Sequence, residues 1–495
     1  LADQTGKTLD MQLNKKLLIP EKDHLQLPVA AHFSLPEKVL QFGTGVLLRG
    51  LPDYFIDKAN KAGIFNGRVV VVKSTDKGGT DAFAAQDNLY TQCVQGISHG
   101  QKVEEYIVNA AISRVLSASS EWEAILACAE NPDMEIIISN TTEVGITLTD
   151  DDVHAAPPKS FPGKLLAFLL RRYQHNGNGM VIIPTELIPD NGRKLKEIVL
   201  ELAAKNKLDA AFISWLSKEN SFCSSLVDRI VPGALPAAAL AATEKELGYQ
   251  DELMIMSEVY SLWAIEADDP KVKEILSFAK ADSGVVIAPD INVFRELKLR
   301  LLNGTHTLSC GLAVLAGFDT VKHAMNDPAM LAFVSTLMKS EIAPAITDIY
   351  IREDAALRFS ESVLDRFRNP YIEHKWISIT MQYTSKMKMR VVPVLQKHYQ
   401  RSQEVPALIA LGFAAYLLFM RSEDVKDDYA ALFREKWARL EPSVLVKNVL
   451  ADVSLWGTDL TLLKGFAHAV TVILSALLNE GAAILIKRVS GELIY

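Results

Sequence analysis

Cysteine is scarce: Cys93, Cys128, Cys223 and Cys310 are the only four in 495 residues, with no CxxC pair and no zinc-finger spacing. That excludes a disulfide scaffold, fits a reducing cytoplasm and leaves no structural metal to expect. No basic block stands out, and 52 Lys and Arg against 60 Asp and Glu give a net charge of −8. Nucleic acid is therefore not expected as the main partner. Long apolar runs are lacking too. Residues 407–420 are too few to span a bilayer, and Asn479-Glu480-Gly481 breaks the run over 466–486. Both read as core helices of a soluble protein with no membrane partner. No secretory signal is visible at the start; Leu1 stands where Met is expected, and Met11 reads as the native start after an added segment. No repeat of solenoid length occurs.

What is present is an ordinary globular composition, 49% hydrophobic and 23% charged, with material for two cores. The run Val39-Leu-Gln-Phe42 leads into Gly43-Thr44-Gly45-Val-Leu-Leu-Arg49-Gly50, and a helix follows over residues 53–61. Strand, glycine turn and helix form the context of a dinucleotide fingerprint. Gly43 would permit the tight turn, and Gly45 would let the backbone approach a pyrophosphate. The third glycine is missing: Leu48 stands in its place and Gly50 comes two later. A GxG alone is also the sequence of a plain loop.

The four-valine run Val69-Val-Val-Val72 reads as a strand buried on both faces of a parallel sheet. Asp76 follows where an acidic residue grips the adenosine ribose, or serves only the turn. Asp76 in that role puts NAD ahead, while Lys73 and Lys77 leave some room for the 2′-phosphate of NADP, which stays open. A polar, strand-like region covers 90–114 and a helix 121–129; further buried strands are expected at Glu135-Ile-Ile-Ile138 and Gly179-Met-Val-Ile-Ile183, with a helix over 163–173 between them. Asn140, beyond the first, faces a cofactor or caps a turn. Glu186, beyond the second, meets substrate or caps the helix starting near Arg193. Asp228 and Arg229 interrupt an apolar run, as site residues or as a mutual pair.

From Pro289 onward nearly everything has helical periodicity. The boundary falls within 283–289, giving an α/β protein: a Rossmann-like dinucleotide-binding domain over 1–285, then an all-α domain over 286–495. The second opens on Phe294-Arg-Glu-Leu-Lys298-Leu-Arg-Leu-Leu-Asn303-Gly-Thr-His306. At about 100° per residue, Asn303 lies roughly 140° and His306 roughly 80° round from Lys298. All three share half of the helix surface with Leu299 and Leu302. Polar groups among leucines are costly to bury without partners; the alternatives are a snorkelling Lys and a satisfied core His, or a site. Downstream, Arg366-Phe-Arg-Asn369-Pro370 and Thr384-Ser-Lys386 add polar groups, Lys386 being an anion contact or a surface lysine.

Together these stretches resemble the polyol-specific long-chain dehydrogenase/reductase family, the mannitol dehydrogenases, from about Val39 to about Pro393. The most specific part is Lys298-x4-Asn303-x2-His306; Gly-x-Gly-x3-Arg49, Val227-Asp228-Arg229-Ile230 and Arg-Phe-x-Asn-Pro with Ser-Lys386 support it. The resemblance implies a site between the two domains, NAD held by Gly43, Thr44, Gly45, Arg49, Asp76 and Asn140, and no catalytic metal. It makes the residue matching Lys298 the general acid/base, and those matching Asn303 and His306 donors to the reacting oxygen. Burial would lower a lysine's pKa toward neutrality, as that role requires, and two fixed donors would stabilise developing negative charge.

One departure is informative. Mannitol dehydrogenases carry Asp-Asn before the Asn-Gly turn, whereas here the pair is Thr185-Glu186, and an ionised carboxylate cannot donate. Pro-x-Glu-Leu-Ile followed by Asn-Gly is similar instead to the tagaturonate reductase branch. That implies NADH-dependent interconversion of D-tagaturonate and D-altronate, a small sugar-acid substrate contacted by Glu186, Asp228 and Lys386, with Lys386 on its carboxylate. Fructuronate reduction and mannitol oxidation are the alternatives within the family; a non-catalytic nucleotide sensor is the alternative outside enzymology. The number of subunits stays open.

Overall fold

The computed structural model describes residues 11–17, 22–74, 79–141, 145–489 and 491. It divides into two compact units, one made of the residues up to Gln95 with Lys102–Ile291, the other of Gly96–Gln101 with the residues from Asn292 onward.

In the first unit the runs of Val and Ile become adjacent parallel strands. They are β1 (Glu37–Phe42), β2 (Arg68–Lys73), β3 (Ile112–Ser117), β4 (Ile136–Ser139), β5 (Val181–Pro184) and β6 (Ser221–Phe222). Their order across the sheet is β3-β2-β1-β4-β5-β6, every pairing parallel. That is the doubly wound order of a dinucleotide-binding fold, with its reversal between β1 and β4. Alternation feeds two cores. Leu40, Phe42, Val70, Val72 and Ile137 enter one cluster with Leu165 and Leu195 from the helices Phe161–His175 and Asn191–Lys205. Val39, Val69, Val71, Ile136 and Ile138 enter the other with Phe55 and Ile56 from the helix Pro52–Lys61. Period-two side chains buried on both faces are what an all-parallel sheet requires, each contributing at most about 1.5–3 kcal/mol by leaving water.

Gly50 closes the gap left by the missing third fingerprint glycine. A Cβ there would stand 2.8 Å from both methyls of Val231, so close packing is met two residues late.

Asp53 is fully buried in the helix after the glycine turn. Its Oδ2 accepts a hydrogen bond from Gln41 Nε2 at 3.3 Å, and Oδ1 has no partner among the described residues. Burial pushes this carboxyl from 3.8 up to about 7, against the pull of Gln41 and Arg49. A raised carboxyl pKa means the folded protein holds a proton that the unfolded chain has released, so stability is lost as pH rises through that window. Asp53→Asn is expected to stabilise the protein by up to about 3 kcal/mol more at about pH 8 than at about pH 5. Denaturant unfolding at the two pH values checks this; an equal effect at both would contradict it.

From Asn292 onward the described residues of the second unit form no strand, and its helices surround one apolar cluster that includes nearly all of Ala407–Phe419. The helix Pro328–Ile346 is, by length and composition, long and apolar enough to cross a membrane. Its Phe333, Val334, Leu337 and Met338 lie in that same core.

Candidate active site

In the first unit the turn after β1 is shaped by two different glycines. Gly43 has φ +129°, and a Cβ on it would stand 2.9 Å from Leu48 Cδ1 and 3.1 Å from the Asn140 carbonyl. Its N–H donates to Val72 O at 3.0 Å, while Asn140 N–H donates to Phe42 O at 3.2 Å. Gly45 has an ordinary φ of −63° at the N-cap of the short helix Val46–Gly50, and a Cβ there would meet nothing within 4 Å. Gly43 is thus required by the chain itself, whereas Gly45, with Thr44 before it, borders open space where a ligand can approach the backbone. Both lie at the carboxyl end of β1, beside the strand-order reversal, where open α/β sheets bind ligands. A dinucleotide fits this cradle.

Asn140, just beyond β4, donates through Nδ2 to Thr185 Oγ1 at 2.9 Å and to the Thr185 carbonyl at 3.2 Å. Thr185 Oγ1 in turn donates to Ser139 O at 2.8 Å. Glu186 is buried; its Oε1 accepts from the Thr141 N–H at 2.8 Å and hydroxyl at 3.0 Å, its Oε2 from Ser139 Oγ at 3.2 Å. Thr185-Glu186 therefore latches the ends of β4 and β5 together. Arg49 is buried between the rings of Phe83 and Tyr90 and donates to Leu253 O at 2.7 Å. Asp76 lies outside the described residues.

Asp228 is buried at the end of the strand Ser225–Asp228. The mutual pair with Arg229 does not form. Arg229 donates instead to Glu258 O at 2.9 Å and Gly50 O at 2.8 Å, and lies 4.2 Å over the Tyr54 ring. Consecutive side chains leaving an extended strand point to opposite faces, which separates the two charges.

In the second unit, Lys298–Gly304 is π-helical, between Asn292–Leu297 and the α-helix Thr305–Leu315. This corrects the regular-helix angles expected from the sequence. In an α-helix five residues make about 1.4 turns; in a π-helix the i→i+5 hydrogen bond closes one turn over them. The wider turn therefore brings Asn303 nearer to Lys298 around the helix axis than an α-helix would. Both side chains are half-buried.

A second π-helical turn, Met387–Val391, packs against the first. Arg300 joins them, donating to Met389 O at 2.6 Å and Arg390 O at 3.2 Å while gripping Glu296 at 3.0 Å and 3.2 Å. Such turns leave backbone carbonyls to satisfy, and a guanidinium fork satisfies two at once. Arg300→Met is expected to cost about tenfold or more in kcat, with a lower Tm, because the freed carbonyls let both turns relax. Steady-state rates with thermal unfolding check it; an unchanged kcat would contradict it.

His306 is 8% exposed and stacks on Phe367 at 4.1 Å, with His374 edge-on at 5.1 Å and Trp376 at 5.9 Å. Burial first, then the nearby His374, Arg366, Arg390 and Lys386, hold its pKa well below the ordinary value, so the ring is neutral. His306 Nε2 and Trp376 Nε1 are buried without a hydrogen-bond partner among the described residues. Buried polar atoms are almost always paired, so two orphans 92%-buried or deeper mark a place for a polar ligand. Lys386 donates to Ile379 O at 2.8 Å, and burial followed by Arg390 lowers its pKa. Arg390, Thr307 and the orphaned Trp376 had no signal in the sequence: Arg390 ends the run Lys386-Met-Lys-Met-Arg390, which reads as a solvated face.

Two family models match the chain, the mannitol dehydrogenase Rossmann domain over residues 37–276 and the mannitol dehydrogenase C-terminal domain over 290–478. An altronate oxidoreductase of Bacillus subtilis (strain 168) is 39% identical over 450 residues, covering 89% of this chain and 92% of that protein. Altronate oxidoreductases of Yersinia enterocolitica and Escherichia coli O6:K15:H31 are 36% and 37% identical over 467 and 465 residues, each match covering 90% of this chain and 96% and 95% of theirs. Among solved structures, Pseudomonas fluorescens mannitol 2-dehydrogenase in ternary complex with NAD and D-mannitol matches with TM-score 0.68 at 22% identity, over 98% of this chain and 100% of that one. Substrate-free D-sorbitol dehydrogenase matches with TM-score 0.76 at 20% identity, over 96% and 100%. At such identities the structures show a shared fold.

Proposed function

The chain belongs to the mannitol dehydrogenase family, and from that premise we propose that it reduces D-tagaturonate to D-altronate with NADH, using Lys298 as the acid. Its class is oxidoreductase acting on CH–OH groups, a sugar-acid or polyol dehydrogenase. The observation that carries the finer reading is the identity of 36–39% to altronate oxidoreductases over about nine-tenths of the chain. The buried, neutral His306, whose Nε2 has no partner among the described residues, lies one helical turn from Asn303 and supplies the chemistry beside it.

Gly43, Thr44, Gly45 and Asn140 would hold the dinucleotide at the reversal of the sheet, with its pyrophosphate over the open side of Gly45. Bound NADH supplies a hydride to the keto carbon. The rest is done by side chains. A neutral His306 donates from a ring N–H to the keto oxygen without adding a cation beside Lys298, and Asn303 donates a second bond. As the carbon is reduced, its oxygen gains negative charge and takes the Lys298 proton; solvent reprotonates the lysine. In the reverse direction Lys298 removes the alcohol proton. Four buried free cysteines fit a cytoplasmic enzyme.

Gly45→Ala is expected to leave Tm unchanged, since the added Cβ meets no protein atom within 4 Å, and to weaken NADH binding by at least about tenfold through lost backbone contacts. Calorimetric titration with NADH checks it; unchanged affinity would place the cofactor elsewhere. The substrate is tested by NADH oxidation with D-tagaturonate, D-fructuronate and D-fructose in parallel. Preference for D-tagaturonate is the expected result. Preference for either rival would overturn the substrate and leave only the family.

A further inference from the structure

Of the three cations that depress the ionisation of His306, two, Arg390 and Lys386, have no acidic partner among the described residues. Arg390 makes one hydrogen bond, from Nη1 to Thr307 Oγ1 at 3.2 Å, and that hydroxyl donates to Asn303 O at 2.7 Å. Lys386 makes one, to the Ile379 carbonyl at 2.8 Å. Neither forms a salt bridge among the described residues, although both are half-buried. Arg300, on the neighbouring turn, is the contrast. It too is withdrawn from solvent, but it grips Glu296 and two carbonyls. Burying charge without a counter-charge is costly, and four basic groups, His374, Arg366, Arg390 and Lys386, are the charges that act most strongly on His306. Arg390 and Lys386, positive and without a carboxylate among the described residues, stand near two orphaned nitrogens and leave room for an anion.

We propose that Arg390, with Lys386 beside it, takes the terminal carboxylate of the substrate, and that Arg390 is what makes the site select a sugar acid over a neutral polyol. This rests on the sugar-acid reading above and names the residue behind it. The placement suits the reaction. In D-altronate the carboxylate sits at the end of the carbon chain remote from the reacting hydroxyl, so its partner must stand apart from Lys298 yet be fixed relative to Asn303. The Thr307 hydroxyl provides that fixed relation. Arg390 has four further N–H donors, and a guanidinium fork matches a carboxylate in two parallel bonds. An ammonium such as that of Lys386 adds a point charge without that geometry.

The test is calorimetric binding to the NADH-saturated enzyme, where the alcohol cannot react, of D-altronate and of D-altritol, its counterpart without the carboxylate. Arg390→Gln is expected to weaken D-altronate about 10- to 100-fold, the loss of a charged pair, with D-altritol binding unchanged. Arg390→Lys should recover part of the loss. Equal losses for both ligands would mean that Arg390 only shapes the pocket, and the proposal falls. It falls too if Lys386→Met alone removes the preference for the acid and Arg390→Gln does not. An enzyme that reduces D-tagaturonate but binds D-altronate equally well with and without Arg390 keeps the reaction and loses this subsite. One that binds D-altronate through Arg390 yet oxidises no NADH with D-tagaturonate keeps the subsite and loses the reaction.

Discussion

Lys298→Met is expected to lower kcat by about 10²- to 10⁴-fold, the range for removing a positioned general acid. The KM should change little, because in the proposed reaction the lysine acts on charge that develops as the hydride arrives, and an interaction made only then appears in kcat. Methionine keeps the length and the apolar stem of the half-buried lysine, so the fold should survive with its Tm. Lys298→Arg is the sharper companion: it preserves the charge but cannot give up its proton near neutral pH. It is expected to be nearly as slow. If Lys298→Arg kept most of the activity, the residue would be an electrostatic prop and the proton would come from elsewhere.

His306→Phe carries the second large effect, and it separates activity from stability. The ring can still stack on Phe367, as the imidazole does at 4.1 Å, while the unpartnered Nε2 disappears. Loss of one donor to a developing oxyanion costs about 10²- to 10³-fold in kcat. Removal of a buried, unsatisfied nitrogen removes a desolvation cost of about 1–3 kcal/mol. The variant is therefore expected to be slow and at least as stable as the parent. Its pH dependence adds a check. The wild-type imidazole is held neutral in the folded protein, whereas the unfolded chain protonates it below its ordinary pKa. Stability is thus lost as pH falls through about 6.5, and His306→Phe should lose less there. Kinetics and thermal unfolding of one preparation decide both; a drop in Tm matching the drop in rate would make the ring a packing residue only.

The first unit was largely legible because parallel strands buried on both faces leave unbroken Val and Ile runs. Val69 to Val72 and Ile136 to Ile138 could be read as such, and each now lies in the sheet at under 2% exposure. The strand β6 was not, since Ser221–Phe222 is too short to carry a pattern. Nor could the sequence show that Gly96–Gln101, the turn between the strands Tyr90–Ser98 and Gln101–Asn109, groups with the second unit; its composition carries no trace of that.

At the candidate site, residue types were readable and geometry was not. Lys298, Asn303 and His306 stood out as polar groups among leucines. A π-turn and an α-turn use the same helix formers, however, so the change of hydrogen-bond partner that brings Asn303 nearer to Lys298 has no signature in composition. Thr185-Glu186 was conspicuous for its chemistry, and its latch with Ser139 and Thr141 depends on two strand ends 45 to 47 residues apart. Arg390 was hidden by its neighbours. Lys388 and Met389 beside it are exposed, and only the folded turn sets the arginine against Thr307.

A sugar-acid reduction driven through Lys298 is tested most directly by a single-turnover measurement. Enzyme saturated with NADH is mixed rapidly with excess D-tagaturonate, and the loss of NADH absorbance is followed for the wild type and for Lys298→Met. One NADH is expected to be consumed per site in a fast phase in the wild type, and the same amplitude at least about 10²-fold slower in the variant. Equal rates in the two proteins, or no NADH consumed by the wild type, would contradict it.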